Sequence, residues 1–247
     1  YKKNNNLNNL KIIKNKNNFG FAKANNQAIK QAIGDYILLL NPDTELIDDS
    51  ILKLINFLEN NKKAGLVGPK LLNADKTLQR SCRQFPKLLD QIFIQLKFYN
   101  FFPNKIKAVQ KYFMLDFNHE NIKEVDQIMG AAMLIKKEVF NKIGLLDEKF
   151  WAVFEEVDFC KRTKDAGYKI YFNPVCQIIH QKEQSFKQIA SLNRQINFNH
   201  SLYYYFKKHK PFWQLFVLWF FQPINIFLTW IDKKVNIRKR LDKSKDL

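Results

Sequence analysis

Asn41-Pro42-Asp43 follows directly on the apolar run Ile37-Leu38-Leu39-Leu40, so a carboxylate stands where an apolar stretch stops. Four apolar residues bounded by an Asn-Pro turn signal read as a buried strand of a parallel sheet. In open α/β sheets ligands sit beyond the carboxyl ends of strands, and a carboxylate there can hold a hard cation and, through it, a phosphate. The plainer reading is a solvated turn, with Thr44 or Asp48 capping the next helix. A second acidic group, Glu155-Glu156-Val157-Asp158, precedes the basic pair Lys161-Arg162. Carboxylates at a helix N-terminus are favoured by its dipole. Adjacent acids taken out of water cannot all ionise cheaply, however, and one is then lifted toward the working range of a general base. His180 ends another strand-like run, matching the position of Asp43, and is either a satisfied core histidine or a metal or phosphate contact. Asn18-Phe19-Gly20-Phe21-Ala22 opens a helix. There Gly20 permits a tight turn, backbone amides can receive an anion and Lys23 can add charge. A glycine turn before an amphipathic helix is the competing reading.

The elements that must position these groups alternate. Residues 10–13 read as extended, 22–33 as helix, 36–40 as strand, 48–60 as helix and 66–72 as strand. Strands alternating with helices of that length imply βαβ units and a parallel sheet, hence an α/β fold. Ile51, Leu52, Ile55 and Leu58 fall at helical spacing and form one buried stripe. Residues 73–125 are irregular, aromatic and basic, and read as an insertion or flap over the sheet. Order returns over 126–136, where Gly130-Ala131-Ala132 suggests a strand approached closely by another group. Helices over 137–143 and 155–166 and strands over 168–172 and 175–180 complete the pattern, followed by a helical stretch over 184–208.

Residues 211–231 carry no charge and are followed by Lys233, Lys234, Arg238, Lys239, Arg240, Lys243 and Lys245. That length meets the roughly 20 residues a membrane span needs. Gln214, Gln222, Pro223 and Asn225 suit an interfacial helix or short hairpin with a basic flank at least as well. The plainer reading is a buried terminal helix pair, which the aromatic load and basic tail argue against.

A formal charge of +18, from 41 basic and 23 acidic residues, predicts attraction to polyanions. Nucleic acid is not expected as a partner, because no nucleic-acid-binding motif accompanies the charge. The three cysteines, Cys82, Cys160 and Cys176, are odd in number and lack C-x-x-C spacing, which points to a reducing compartment and away from zinc. The chain opens on Tyr1 rather than Met, and it reads as an N-terminally truncated fragment.

The order of these pieces resembles bacterial family 2 glycosyltransferases, especially the rhamnosyltransferase-like subgroup of cell-surface polysaccharide synthesis. The matching residues are Asn18-Phe19-Gly20-Phe21-Ala22 with Asn25-Asn26, then Gly34-Asp35-Tyr36 running into Asn41-Pro42-Asp43. They continue with Gly130-Ala131-Ala132-Met133, Gly144-Leu145-Leu146-Asp147, Glu155-Glu156-Val157-Asp158, Ala166-Gly167-Tyr168, and His180 with Ser185. The resemblance implies a GT-A fold with a mixed, mostly parallel sheet. It divides the chain into a transferase domain over 1–210 and a membrane-associating segment over 211–247. It also implies a nucleotide-diphosphate sugar donor, inversion at the anomeric carbon, and a glycan or polyprenyl-diphosphate-linked acceptor, with rhamnose as the candidate sugar.

Carried over residue by residue, Gly20, Lys23, Asn26, Asn41 and Asp43 fall on the donor side, with Asn41 standing where the family has the first acid of a D-x-D motif. Asp43 and His180 would hold a divalent cation, Mg²⁺ or Mn²⁺. Glu156, with Glu155 beside it, matches the acid pair that supplies the base, with Glu in place of Asp. The family opens on a strand and Asp-rich loop that grip the nucleoside, and no such segment precedes Leu10 in this chain. The implied location is the cytoplasmic face of the bacterial inner membrane, with an anionic membrane surface as partner, held peripherally or by one anchor. The alternatives are an inactive transferase fragment and a basic nucleic-acid-binding protein.

Overall fold

A computed structural model describes residues 10–47, 50–98, 102, 105–150, 153–181 and 191–235, the side chains of 50, 191–192 and 232–235 excepted. Its main sheet is built on β1 (Tyr36–Leu40), β2 (Thr44–Leu46), β3 (Ala64–Leu72), β8 (Ala132–Lys136) and β9 (Lys169–His180), in the order β1-β8-β3-β9-β2. Two short strands join its margins: β4 (Leu78–Gln79) pairs with β3 and β6 (Lys123–Glu124) with β9. A separate ribbon pairs β5 (Cys82–Arg83) with β7 (Gln127–Ile128).

The sheet is mixed, and among the described strands the balance is antiparallel rather than mostly parallel. Only β3 and β9 pair in parallel; β8 runs antiparallel to both β1 and β3, and β2 antiparallel to β9. The expected βαβ unit is present, since β1 and β3 run the same way with helix α2 (Ser50–Asn60) between them in sequence. Strand β8 is inserted between its two strands. Apolar runs report burial on both faces but carry no information on the direction of a partner.

Residues 10–13, expected to be extended, form no regular strand and are exposed, with no described strand alongside to satisfy their backbone. Helix α1 (Phe21–Ile29) ends earlier than its expected limit. The strands expected over 168–172 and 175–180 are one continuous β9.

Side chains alternate across the sheet as its pleat requires. Met133 and Ile135 of β8 face a core that includes Leu39, Leu66, Ile170 and Phe172. Helices α1, α5 (Lys137–Ile143) and α6 (Glu155–Asp165) close that core with Ala22, Val139, Phe140 and Phe159. Leu134 faces the other way, against Leu54 and Leu58 of α2. Ile170 and Phe172 belong to the first core while Cys176 and Ile178 belong to the second, although their spacing is even. A register shift of β3 against β9, where Pro69 pairs with Asn173 but Lys70 with Gln177, reverses the faces. Gly68 and Gly65 are where the backbone needs a missing Cβ: a methyl at Gly68 would lie 2.4 Å from Ile128.

Residues 73–125, expected as an insertion or flap, supply β4, β5, β6, α3 (Leu88–Gln95) and α4 (Lys107–Tyr112). The C-terminal part is a helical pair, α7 (Ser191–His209) and α8 (Phe212–Val235). Leu215 and Leu218 of α8 share a buried cluster with Phe150, Phe154, Leu202 and Phe206. The uncharged stretch is thus docked on the domain along one side.

Candidate active site

Asn41–Asp43 is the short link between β1 and β2, two strands that lie far apart in the order of the sheet. The bend in β9 brings its far half back to β2, where Thr44 pairs with His180. The link is pinned on both sides: Asn41 N donates to Ala131 O at 2.9 Å and Gln181 N donates to Asp43 O at 2.8 Å. Thr44 Oγ1 donates to Asn41 O at 2.6 Å, closing the turn. Asp43 Oδ1 then lies 3.4 Å from His180 Nε2, and Asn41 Nδ2 lies 3.4 Å from the same nitrogen. The Asp43 and His180 side chains are only 16% and 8% exposed, so the charge of Asp43 is weakly screened.

Sequence reading missed Gln79, on β4. Its Oε1 lies 2.7 Å from His180 Nδ1, and its Nε2 donates to Asn73 Oδ1 at 2.9 Å and to His180 O at 3.3 Å. No local pattern marks this glutamine, because its role comes from β4 lying against β3 and hence against β9.

Gly130 and Ala131 connect the two halves of the site. Ala131 O holds Asn41, and a methyl at Gly130 would touch the Phe21 ring at 3.5 Å and Glu156 Cβ at 3.6 Å. Those are ordinary contacts, so the close approach expected at Gly130 belongs to Gly68 instead. The N-terminus of α1, the end of β1, the start of β8 and the N-terminus of α6 therefore converge.

Helix α6 begins after two consecutive left-handed residues, Val153 (φ 61°) and Phe154 (φ 73°). Such conformations cost on the order of 1–3 kcal/mol each and persist only where the surroundings impose them. Here Phe154 is buried against Phe198 and Tyr205, which fixes how the helix enters. Glu155 Oε2 and Glu156 Oε2 are buried and hydrogen-bond to no group among the described residues. Burial, then the charge of Glu156, pushes the Glu155 carboxyl well above the usual range. Burial also raises Glu156, opposed by backbone amides and by the nearby Arg83 guanidinium. Arg83 was not singled out from sequence; it arrives through the pairing of β5 with β7.

Asp158 takes the structural part of this acidic cluster. It accepts from Arg162 Nε at 2.8 Å, His209 Nε2 at 2.7 Å and Lys208 Nζ at 2.8 Å. Burial alone would raise its carboxyl, but the His209 hydrogen bond and the Arg162 and Lys208 charges outweigh it and hold it at about 2.

On the donor side, Gly20 has φ 80° and its N–H donates to Asn18 Oδ1 at 2.9 Å, so the tight turn is present. Lys23 extends over the Phe19 ring at 4.4 Å. Asn26 is not presented to a ligand: its amide donates to Leu146 O at 2.9 Å and Glu148 Oε1 at 3.0 Å, and its oxygen accepts from Leu146 N at 3.1 Å. A buried carboxamide with that many protein partners is a clamp between α1 and the loop after α5. Ser185 lies outside the described residues.

A single carboxylate and one imidazole fit a divalent cation that takes the rest of its shell from phosphate oxygens and water. Among the described residues no third His, Cys, Asp or Glu joins them.

The chain is 25% identical over 169 residues to the low-salt glycan biosynthesis hexosyltransferase Agl10 of Haloferax volcanii, covering 67% of this chain and 50% of that protein. It is 22% identical over 223 residues to the N-acetylglucosaminyl-diphospho-decaprenol L-rhamnosyltransferase of Mycobacterium tuberculosis, covering 85% and 71%. Against the rhamnosyltransferase WbbL of Escherichia coli K12 it is 28% identical over 178 residues, covering 66% and 61%. The chain thus spans only half the length of the first of these relatives. Among solved structures it is similar to GalNAc-T7 with UDP, GalNAc and Mn²⁺, at a TM-score of 0.46 and 14% identity over 68% of this chain and 31% of that one. The sequence profile described as glycosyl transferase family 2 matches residues 1–144, ending before Glu155, Glu156 and His180. With that match over more than half of its length, the chain belongs to glycosyl transferase family 2.

Proposed function

We propose that this chain transfers a sugar, with rhamnose the candidate, from a nucleotide-diphosphate donor to a hydroxyl of a glycan or polyprenyl-diphosphate-linked acceptor, with inversion. One observation carries the reading: the buried Oε2 atoms of Glu155 and Glu156 have no hydrogen-bond partner among the described residues, and Glu156 lies across Gly130 from the link that bears Asp43. A buried carboxyl oxygen left without a hydrogen bond is costly, and at a converging site it is free to take a proton as a base. Glu156 takes the proton of the acceptor hydroxyl as its oxygen bonds to the anomeric carbon and the bond to the donor phosphate breaks. Burial keeps that carboxyl raised, toward the range a base needs.

Asp43 and His180 would hold a divalent cation, Mg²⁺ or Mn²⁺, whose chemistry is to neutralise charge on the departing nucleoside diphosphate. Asn41 supplies an amide beside them, and the turn at Gly20 with Lys23 lies on the donor side. The likeness to the mycobacterial and Escherichia coli rhamnosyltransferases supports rhamnose, and the diphospho-decaprenol acceptor of the mycobacterial one supports a lipid-diphosphate acceptor.

The exposed aromatic residues of α8, among them Trp213, Phe216, Trp219 and Phe220, support work at a membrane surface, and the basic residues that follow support an anionic one. The side is the cytoplasmic one, where nucleotide sugars are made. The test is transfer from a panel of nucleotide-diphosphate sugars to polyprenyl-diphosphate acceptors, followed by mass spectrometry. Glu156→Gln should lower turnover at least about a hundredfold with donor affinity nearly intact. Unchanged turnover removes Glu156 from the base role.

A further inference from the structure

We propose that Gln79 is a positioning residue that holds His180 as its Nδ1–H tautomer and so turns the Nε2 lone pair toward Asp43. The inference rests on the reading of Asp43 and His180 as the cation and pyrophosphate side of the site.

The proton assignment follows from a relay whose far end is a carboxylate. Asp75 can only accept once ionised, and hydrogen bonds from the Thr77 side chain and backbone hold it below its ordinary range. Thr77 Oγ1 therefore donates to Asp75 Oδ1 at 2.6 Å. With its proton so used, that hydroxyl oxygen accepts from Asn73 Nδ2 at 2.9 Å, which orients the Asn73 amide with Oδ1 outward. Asn73 Oδ1 accepts from Gln79 Nε2 at 2.9 Å, and His180 O accepts from the same nitrogen at 3.3 Å. Both contacts require the NH₂ end of Gln79, so the atom 2.7 Å from His180 Nδ1 is Oε1, an acceptor. Nδ1 must then carry the proton.

The consequence falls on the other ring nitrogen. Nε2 faces Asn41 Nδ2 and Asp43 Oδ1, each at 3.4 Å. A lone pair beside a carboxylate is an electron-rich pair that a cation relieves, and in a metal-binding histidine the partner of the second nitrogen sets which nitrogen ligates. The relay is short in sequence, since residues 73–77 form the turn between β3 and β4 and Gln79 ends β4, where it is only 3% exposed. A buried glutamine held at both ends of its amide has little freedom to flip.

The tautomer is measured directly by ¹⁵N NMR of the imidazole in the metal-free protein at pH 8, assigned with His180→Gln. Wild type should show Nδ1 protonated and Nε2 bare. A ring protonated on Nε2, or on both nitrogens, overturns the proposal without touching the transferase reading, which Glu156→Gln tests separately. Gln79→Met keeps the shape and removes the acceptor, so it should shift the ring toward Nε2–H. It should also weaken binding of Mn²⁺ alone, followed by electron paramagnetic resonance, by ten- to a hundredfold. Gln79→Glu retains an acceptor and should keep the wild-type tautomer, which covers the case in which the methionine variant fails to fold. Unchanged Mn²⁺ affinity in Gln79→Met, with the tautomer shifted, would overturn the positioning role.

Discussion

Glu155 and Glu156 carry opposite demands in one dipeptide: buried deeply enough to be raised, and bare enough to take a proton. Their cost to the fold depends on pH. A carboxyl whose folded value lies above its unfolded value is proton-bound in both states at low pH, and it penalises the folded state as pH rises past the unfolded value. The stability difference between Glu156→Gln and wild type should therefore move in favour of the variant between pH 5 and pH 8, measured by urea denaturation. A difference independent of pH would show that the carboxyl is not raised. At this scale the sequence was partly legible. Asp43 and Glu156 stand out because acids interrupt apolar or helical patterns, whereas Gln79 and Arg83 have ordinary neighbours and acquire roles only through strand pairing. Asn26 shows the reverse: the family resemblance put it on the donor side, and in the structure its amide is hydrogen-bonded to the loop at Leu146.

Helix α6 is the element on which the site turns, and Asp158 ties it to α7. Its folded value of about 2 lies below the ordinary 3.8, so its contribution is fully present above about pH 4 and is lost as pH falls toward 2. The interaction is worth about 2 kcal/mol at neutral pH. Asp158→Asn should lower stability at pH 7 by about 2–4 kcal/mol, since it leaves Lys208 and His209 facing a neutral amide, and should flatten the acid limb of unfolding. Denaturant melts from pH 2.5 to pH 7 check both. The start of α6 was legible from the acidic residues that favour a helix N-terminus. The insertion of β8 was not, because an apolar run has the same appearance whichever way its neighbour runs. Nor was the turn of β9 from one core to the other, which rests on a register shift and leaves no trace in hydrophobic spacing.

Across the whole molecule, α8 explains why polar residues interrupt an apolar stretch. Asn225 Nδ2 donates to Gln95 O at 2.7 Å and Asn225 Oδ1 accepts from Asn199 Nδ2 at 2.9 Å, so the helix is bolted to α3 and α7. Its other face exposes Phe212, Trp213, Phe216, Trp219, Phe220, Phe227 and Trp230, in a helix long and apolar enough to cross a bilayer. One face bonded and one aromatic is the arrangement of a helix lying in the interface, where tryptophan is favoured. Replacing Trp219 and Phe220 with serine should reduce partitioning to vesicles containing phosphatidylglycerol at least about tenfold and leave the melting temperature nearly unchanged. Sedimentation with vesicles at two salt concentrations measures this and separates the apolar part from the charge part.

The short link at Asn41–Asp43 has a consequence for how the protein fails. It joins two margins of one sheet, and β2 is a three-residue strand at the edge. Edge pairings open locally at free energies well below that of global unfolding. Fraying of β2 from β9 would part Asp43 from His180 while the two cores stay intact. On the proposed reading of Asp43 and His180, donor capture rests on a short edge pairing of the sheet, and heat would erode function before it erodes the fold.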